Sequence, residues 1–250
     1  IAIIACKPKP EPTPTPTPTP DPEPEVFESL ISVTDGTVAD WDAVPAKSVF
    51  SATSAANPVK SALKTVKVFA DQMYINIYVT WDPEQIVDLE WVPFHCYLDA
   101  DNSDATGGYG DEFTDPNSEW LFESGIIANG AAGAYDPAVF KWWGEVGANG
   151  WLWTDDTKTH DDSDFWGAII GEGQGGIGAC QLIGNNGAEI QLLREAATCI
   201  TWNATTFGIG FDIQQNWSSV GILPNADADE VGSEVLAAKI KVTIDMESKK

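Results

Sequence analysis

Four of the eleven tryptophans fall between positions 142 and 153, in the run Phe140-Lys141-Trp142-Trp143-Gly-Glu145-Val-Gly-Ala-Asn149-Gly-Trp151-Leu-Trp153. Indole faces pack against the C–H faces of sugar rings, while carboxylates, amides and lysine exchange hydrogen bonds with sugar hydroxyls. Trp142, Trp143, Trp151 and Trp153 are therefore the candidate stacking rings, and Lys141, Glu145 and Asn149 the candidate polar contacts. On an extended strand Trp151 and Trp153 share a face, whereas Trp142 and Trp143 point oppositely, so one of that pair is expected in a core. Trp120 and Trp166 read as core residues.

A second concentration of chemistry lies upstream, in Asp99-Ala-Asp101-Asn102-Ser-Asp104-Ala-Thr106-Gly-Gly-Tyr-Gly-Asp111-Glu112. Carboxylate and amide oxygens crowd a loop whose glycines permit tight turns, which is what a hard cation such as Ca²⁺ requires. Asp99, Asp101, Asn102, Asp104 and Asp111 are the candidate calcium ligands; the alternative is a solvated Asx-turn loop that ends a strand. The spacing is not that of an EF-hand, because the glycine is misplaced and no glutamate stands at the twelfth position. Asp227, Asp229 and Glu230 read as a solvated turn.

Support for catalysis is thin. There is no Gly-x-Ser-x-Gly elbow and no phosphate-binding loop. A glycosidase needs two carboxylates at a defined separation across one groove, and the loops hold many carboxylates without singling out a pair. His95 and His160 are the only histidines, and His95 alternates with Phe94 and Cys96 as a satisfied core histidine would. Cys180 and Cys199 are either a disulfide pair, which an envelope location permits, or buried thiols; their spacing fits no zinc pattern. With 38 acidic against 13 basic side chains the formal charge is -25. Such a field repels phosphate backbones and excludes nucleic acid as a partner.

The elements that must position these groups are strands. Residues 66–70, a turn at Asp71-Gln72, and residues 73–81 alternate as a β-hairpin whose second arm carries Ile75, Ile77, Val79 and Trp81 on one face. Phe207, Ile209, Phe211 and Ile213 alternate with small or polar residues, as do Ile240, Val242 and Ile244. Shorter strands are expected at 27–33, 94–99, 120–127, 180–183 and 188–193, with one helical turn at 194–198 and mostly loop between 99 and 164. Many short strands joined by Gly/Asn/Asp-rich connections predict an all-β protein: an antiparallel β-sandwich, jelly-roll-like, with long loops.

Ahead of it stands a different kind of chain. Nine of the sixteen prolines alternate from Pro8 to Pro24. Such a linker is disordered as to fold but stiff, reaching roughly 60 Å as polyproline II. Residues 1–5 read as the remnant of a signal peptide, with Ile3 and Ala5 placed as in a bacterial lipobox and Cys6 as the lipid acceptor. The expected organisation is a signal remnant at 1–5, a lipidated cysteine and linker at 6–25, and one sandwich at 26–250. That implies a bacterial cell-envelope lipoprotein, held at the outer membrane facing the cell surface or the periplasm.

The order of the motifs resembles family 9 carbohydrate-binding modules, which are DOMON-like β-sandwiches. Val33-Thr-Asp-Gly-Thr-Val-Ala-Asp-Trp41 matches the opening signature, residues 66–81 the hairpin that follows, and Ala188-Glu-Ile-Gln-Leu-Leu-Arg194 with Phe207-Gly-Ile-Gly-Phe-Asp-Ile213 the paired late strands. The resemblance covers residues 31–245, with a longer middle insertion than usual. It implies a sugar-binding sandwich, often with structural calcium, acting on extracellular polysaccharide. The expectation is a non-catalytic, carbohydrate-binding domain; an adhesion or assembly subunit with a protein partner and a glycan-degrading enzyme are the alternatives.

Overall fold

A computed structural model describes residues 27–33, 35–108, 112–142, 144–149, 177–194 and 205–250. Eleven strands run in chain order: β1 Phe50–Thr53, β2 Leu63–Ala70, β3 Tyr74–Trp81, β4 Trp91–Asp99, β5 Trp120–Ala128, β6 Ala131–Lys141, β7 Ile177–Ile183, β8 Gly187–Leu193, β9 Thr206–Gln215, β10 Ser218–Leu223 and β11 Ile240–Thr243. They form two sheets, β1-β2-β3-β8-β7 and β10-β9-β4-β5-β6, with β11 pairing the first half of β9 beyond the end of β10. Every pairing is antiparallel. The sheets pack face to face as a β-sandwich, as the alternation predicts.

The period-2 pattern explains the core. Ile75, Ile77, Val79 and Trp81 of β3 are all buried, and they meet Phe94, Cys96 and Leu98 of β4 and Phe207, Ile209, Phe211 and Ile213 of β9 in one cluster. Phe94 and Phe211 stack with centroids 5.9 Å apart. Burying a side chain of this size stabilises the fold by roughly 1.5–3 kcal/mol.

Both outer faces are also covered, which a simple sandwich does not require. Residues 27–33 are not a strand, contrary to the alternation there. Instead the segment lies on the first sheet, where Ile31, Val33, Trp41 and Val44 pack on the outward Phe69 of β2. Trp41 Nε1 donates to Glu189 of β8 at 2.5 Å, so covering that face satisfies the carboxylate it buries. The expected loop between 99 and 164 is likewise corrected: besides the anticipated β5 it contains β6, which returns from β5 through Asn129-Gly130, both at positive φ (49° and 73°). Asn-Gly is the strongest short hairpin signal, but the following Ala-Ala-Gly-Ala run has little strand propensity of its own.

Candidate functional site

The acidic loop leaves β4 at Asp99 and returns to β5 at Glu119. The antiparallel register that sets Leu98 opposite Trp120 brings these two ends together. Asp99, Asp101 and Glu119 thereby place one oxygen each within 4.8 Å of the others, a carboxylate triad that could hold a metal ion. Thr106 Oγ1 lies 2.8 Å from Glu119 Oε1 and 3.1 Å from both Asp101 oxygens, while the Ala100 N–H donates to Glu119 Oε2 at 2.8 Å. Asn117 Nδ2 donates to Asp99 at 2.8 Å and to Asp104 at 3.1 Å, and Lys241 Nζ reaches Asp99 at 2.6 Å. Asn117 is 1% exposed, yet its Oδ1 has no hydrogen-bond partner among the described residues. Burial pushes the Glu119 carboxyl up to about 7; Thr106 and Ala100 oppose this, and the charges of Asp101 and Asp99 reinforce it.

Of the expected ligands, Asp99 and Asp101 are thus gathered and Asp104 stands at the margin through Asn117. Asn102 is exposed at a left-handed turn (φ 54°), a conformation asparagine tolerates, and is a turn residue rather than a member of the triad. Asp111 lies outside the described residues. Glu119 is the member that reading the sequence missed, because local spacing cannot see a partner delivered by strand pairing.

The second concentration of polar groups is on the outer face of the six-stranded sheet. Here β4 presents His95 and Tyr97, β5 Glu123, β9 Asp212 and Gln214, and β10 Ser219. The β4–β5 loop lays Glu112 and Phe113 across this face. Phe113 fits because position 210 is glycine: a Cβ there would lie 2.2 Å from the Phe113 ring. A cleft of about 520 Å³ remains, lined by His95, Glu112, Glu123, Phe140, Gln214, Trp217 and Ser219.

His95 sits at its floor, 1% exposed, with Nε2 2.8 Å from Glu123 and Nδ1 3.4 Å from Asp212. Burial disfavours the charged ring, but hydrogen bonds and charge from Asp212 and Glu123 outweigh it and raise the imidazole from 6.5 to about 9. It is a buried, satisfied histidine, as its alternation suggests. Gln214 Nε2 donates to Asp212 at 2.7 Å and Ser219 Oγ to its other oxygen at 2.6 Å. Glu112 has the Tyr97 phenol; burial, then the charge of Asp212, push it up to about 8 against the pull of Tyr97, His95 and Lys60. Two oxygens of the lining, Glu112 Oε2 and Gln214 Oε1, have no hydrogen-bond partner among the described residues.

A row of aromatic rings borders the cleft. Trp91 lies 6.3 Å from Tyr135 and 6.5 Å from Trp217. Trp217 is 61% exposed and, with Asn216, takes a positive φ (61° and 50°) in the turn between β9 and β10. That conformation is costly for a bulky residue, and such strain clusters at binding sites.

No family model, no curated protein and no solved structure matches this chain. Its chemistry has to be read from its own residues. Among the described residues no helix is long and apolar enough to cross a membrane.

Of the four expected stacking rings, Trp142 alone is among the described residues, and it does not line this cleft. Trp142 is 7% exposed and joins Tyr97, Phe113, Leu121 and Ile222 in a second apolar cluster on the sheet's outer face. Its ring covers Gly108, where a Cβ would lie 2.0 Å away, and its Nε1 donates to the Glu145 carbonyl at 3.1 Å. Trp142 thus lies in a core, as one of the pair Trp142 and Trp143 was expected to. Lys141 closes β6 opposite Trp120, while Glu145 and Asn149 are exposed and neither of these two lines the cleft. Trp143, Trp151, Trp153 and Trp166 lie outside the described residues, as do Cys6 and Cys199. Cys180 is half-buried on β7 and Trp120 is buried in the main core.

Trp217 and Gln214 line the cleft, and sequence reading passed them over. The signal was present in Gln214-Gln215-Asn216-Trp217, a bulky aromatic placed in a two-residue turn at the end of a clear strand.

Proposed function

We propose that this chain is the carbohydrate-binding sandwich of a cell-envelope lipoprotein, stabilised by calcium and tethered through Cys6 and its proline linker. The observation that carries the reading is the cleft on the six-stranded sheet, where two buried oxygens with no hydrogen-bond partner among the described residues share the lining with an exposed tryptophan. Buried polar atoms are normally paired, and the exceptions call for an explanation. A polyhydroxylated ring supplies both complements at once, donors for Glu112 and Gln214 and a C–H face for Trp217. The cleft's size falls within the range of small-ligand sites. The motif order resembling family 9 modules supports the same reading.

Calcium is the cation that suits an all-oxygen triad at the neck of a long loop. Asp99, Asp101 and Glu119 would hold it, and the Asn117 amide oxygen is a fourth donor at hand. Its part is to tie the two ends of the loop that carries Glu112 and Phe113.

Glycan-array binding with the wild-type chain and with Trp217→Ala tests the proposal. Binding to a defined set of glycans is expected for the wild type and its loss for the variant. A wild-type chain that retains no glycan overturns the reading.

One observation favours a second reading. Glu112 and Glu123 line the same cleft, and two carboxyl groups on one groove are what cleavage of a glycosidic bond requires. Release of reducing ends from a bound glycan, abolished in Glu112→Gln and Glu123→Gln, would establish it.

A further inference from the structure

We infer that the glycan taken by this cleft carries a free amino group, so that its class is an amino sugar with an unacetylated amine. The inference rests on the reading of the cleft as a glycan site and adds what that site selects. It begins from which groups are already paired. Of the three carboxylates described at the cleft, Glu123 and Asp212 share the His95 ring, one on each nitrogen. Asp212 further accepts from Gln214 and Ser219. Glu112 has the Tyr97 phenol and feels the more distant charges of His95 and Lys60, and its Oε2 is buried with no hydrogen-bond partner among the described residues. Among the described residues no lysine or arginine lines the cleft.

The orientation of Gln214 points the same way. Its Nε2 must face the Asp212 carboxylate at 2.7 Å, since a reversed amide would set oxygen against oxygen. Its Oε1 is thereby committed as an acceptor, in a side chain only 8% exposed. Gln214 Oε1 thus stands as a fixed acceptor beside the Glu112 carboxyl, and the two together suit a donor that carries positive charge. An ammonium group brings three donors and a positive charge. A hydroxyl brings one donor and no charge, and an acetamide one N–H beside a competing acceptor. Uronates and sulfated sugars bring acceptors and negative charge into a site whose unpaired member is a carboxyl.

Trp217 completes the set, because an exposed indole beside a carboxyl is a favourable place for an alkylammonium.

Titration calorimetry with short glucosamine oligomers, N-acetylglucosamine oligomers and neutral glucose oligomers of equal length, at 0.15 M salt, tests this. The free-amine oligomers are expected to bind at least about tenfold more tightly than the other two. Glu112→Gln should bind all three series alike. Because that variant alters at most one charge of a strongly acidic chain, general attraction of cations to the surface would survive it and is thereby distinguished. Equal affinity across the three series, or a preference that persists in Glu112→Gln, overturns the inference while leaving the glycan site standing. Absence of binding to every oligomer overturns both.

Discussion

Nε2 of His95 lies 2.8 Å from Oε2 of Glu123, joining the central strand β4 to its neighbour β5 beneath the cleft. With Asp212 on the opposite ring nitrogen, the imidazole is held charged up to about pH 9, against 6.5 for a free ring. The folded protein thus keeps a proton that the unfolded chain gives up. The stability this contributes is fully present below pH 6.5 and is lost as pH rises through about 9. Glu112, raised to about 8 from 4.5, acts in the same direction, its cost growing as pH climbs from 4.5 to 8. Melting in EDTA should therefore fall steadily from pH 5 to pH 9. His95→Gln should flatten the part of that slope above pH 6.5, and an unchanged slope would refute the charged state.

Calcium should raise the melting temperature. At free Ca²⁺ a hundredfold above its dissociation constant the gain is about 2.7 kcal/mol. Asp101→Asn and Glu119→Gln should each lose the response in calorimetry and thermal melts, whereas Asn102→Ala, outside the triad, should keep it. Since a cation would join the two ends of the β4–β5 loop, amide exchange over residues 112–118 should slow when Ca²⁺ is added. Equal melting with and without chelator would remove the site.

Trp142 and Trp217 should separate cleanly on mutation. Trp142→Ala empties part of a packed cluster and should cost about 3–5 kcal/mol in denaturant unfolding. Trp217→Ala removes an exposed ring and should change stability by no more than about 0.5 kcal/mol. Glycan affinity should nonetheless drop in Trp217→Ala. The reverse pattern would return the binding site to the run that begins at Trp142.

Gly210→Ala probes the loop that walls the cleft. The added methyl would occupy the place of the Phe113 ring. Overpacking of this kind costs about 1–3 kcal/mol. Displacing Phe113 should also shift Glu112, so ligand affinity should fall beyond what stability explains.

Cys6→Ser should abolish incorporation of a labelled fatty acid in a bacterial host and release the protein from the membrane fraction. Retention of label would place the lipid elsewhere.

The sandwich was legible in the sequence because alternation along a strand is a local record of which face is buried. Ile75 to Trp81 and Phe207 to Ile213 announce their strands without help. The chemistry of the acidic loop was half legible for the same reason: Asp99 and Asp101 are close in sequence, and close residues stay close in space. Other features had no local record. β6 depends on pairing with β5 to offset a sequence poor in strand formers, and residues 27–33 abandon their alternation to cover the outer face at Phe69. Trp142 and Trp217 look alike as letters, and their fates diverge only because one packs on the sheet's outer face while the other is turned outward by a strained hairpin. Side-chain type and spacing determined what chemistry was available: carboxylates for a cation, indoles for a ring. Which of them converge was decided by register between distant strands, since only pairing of β4 with β5 and β9 sets Glu119 beside Asp101 and Asp212 beside His95.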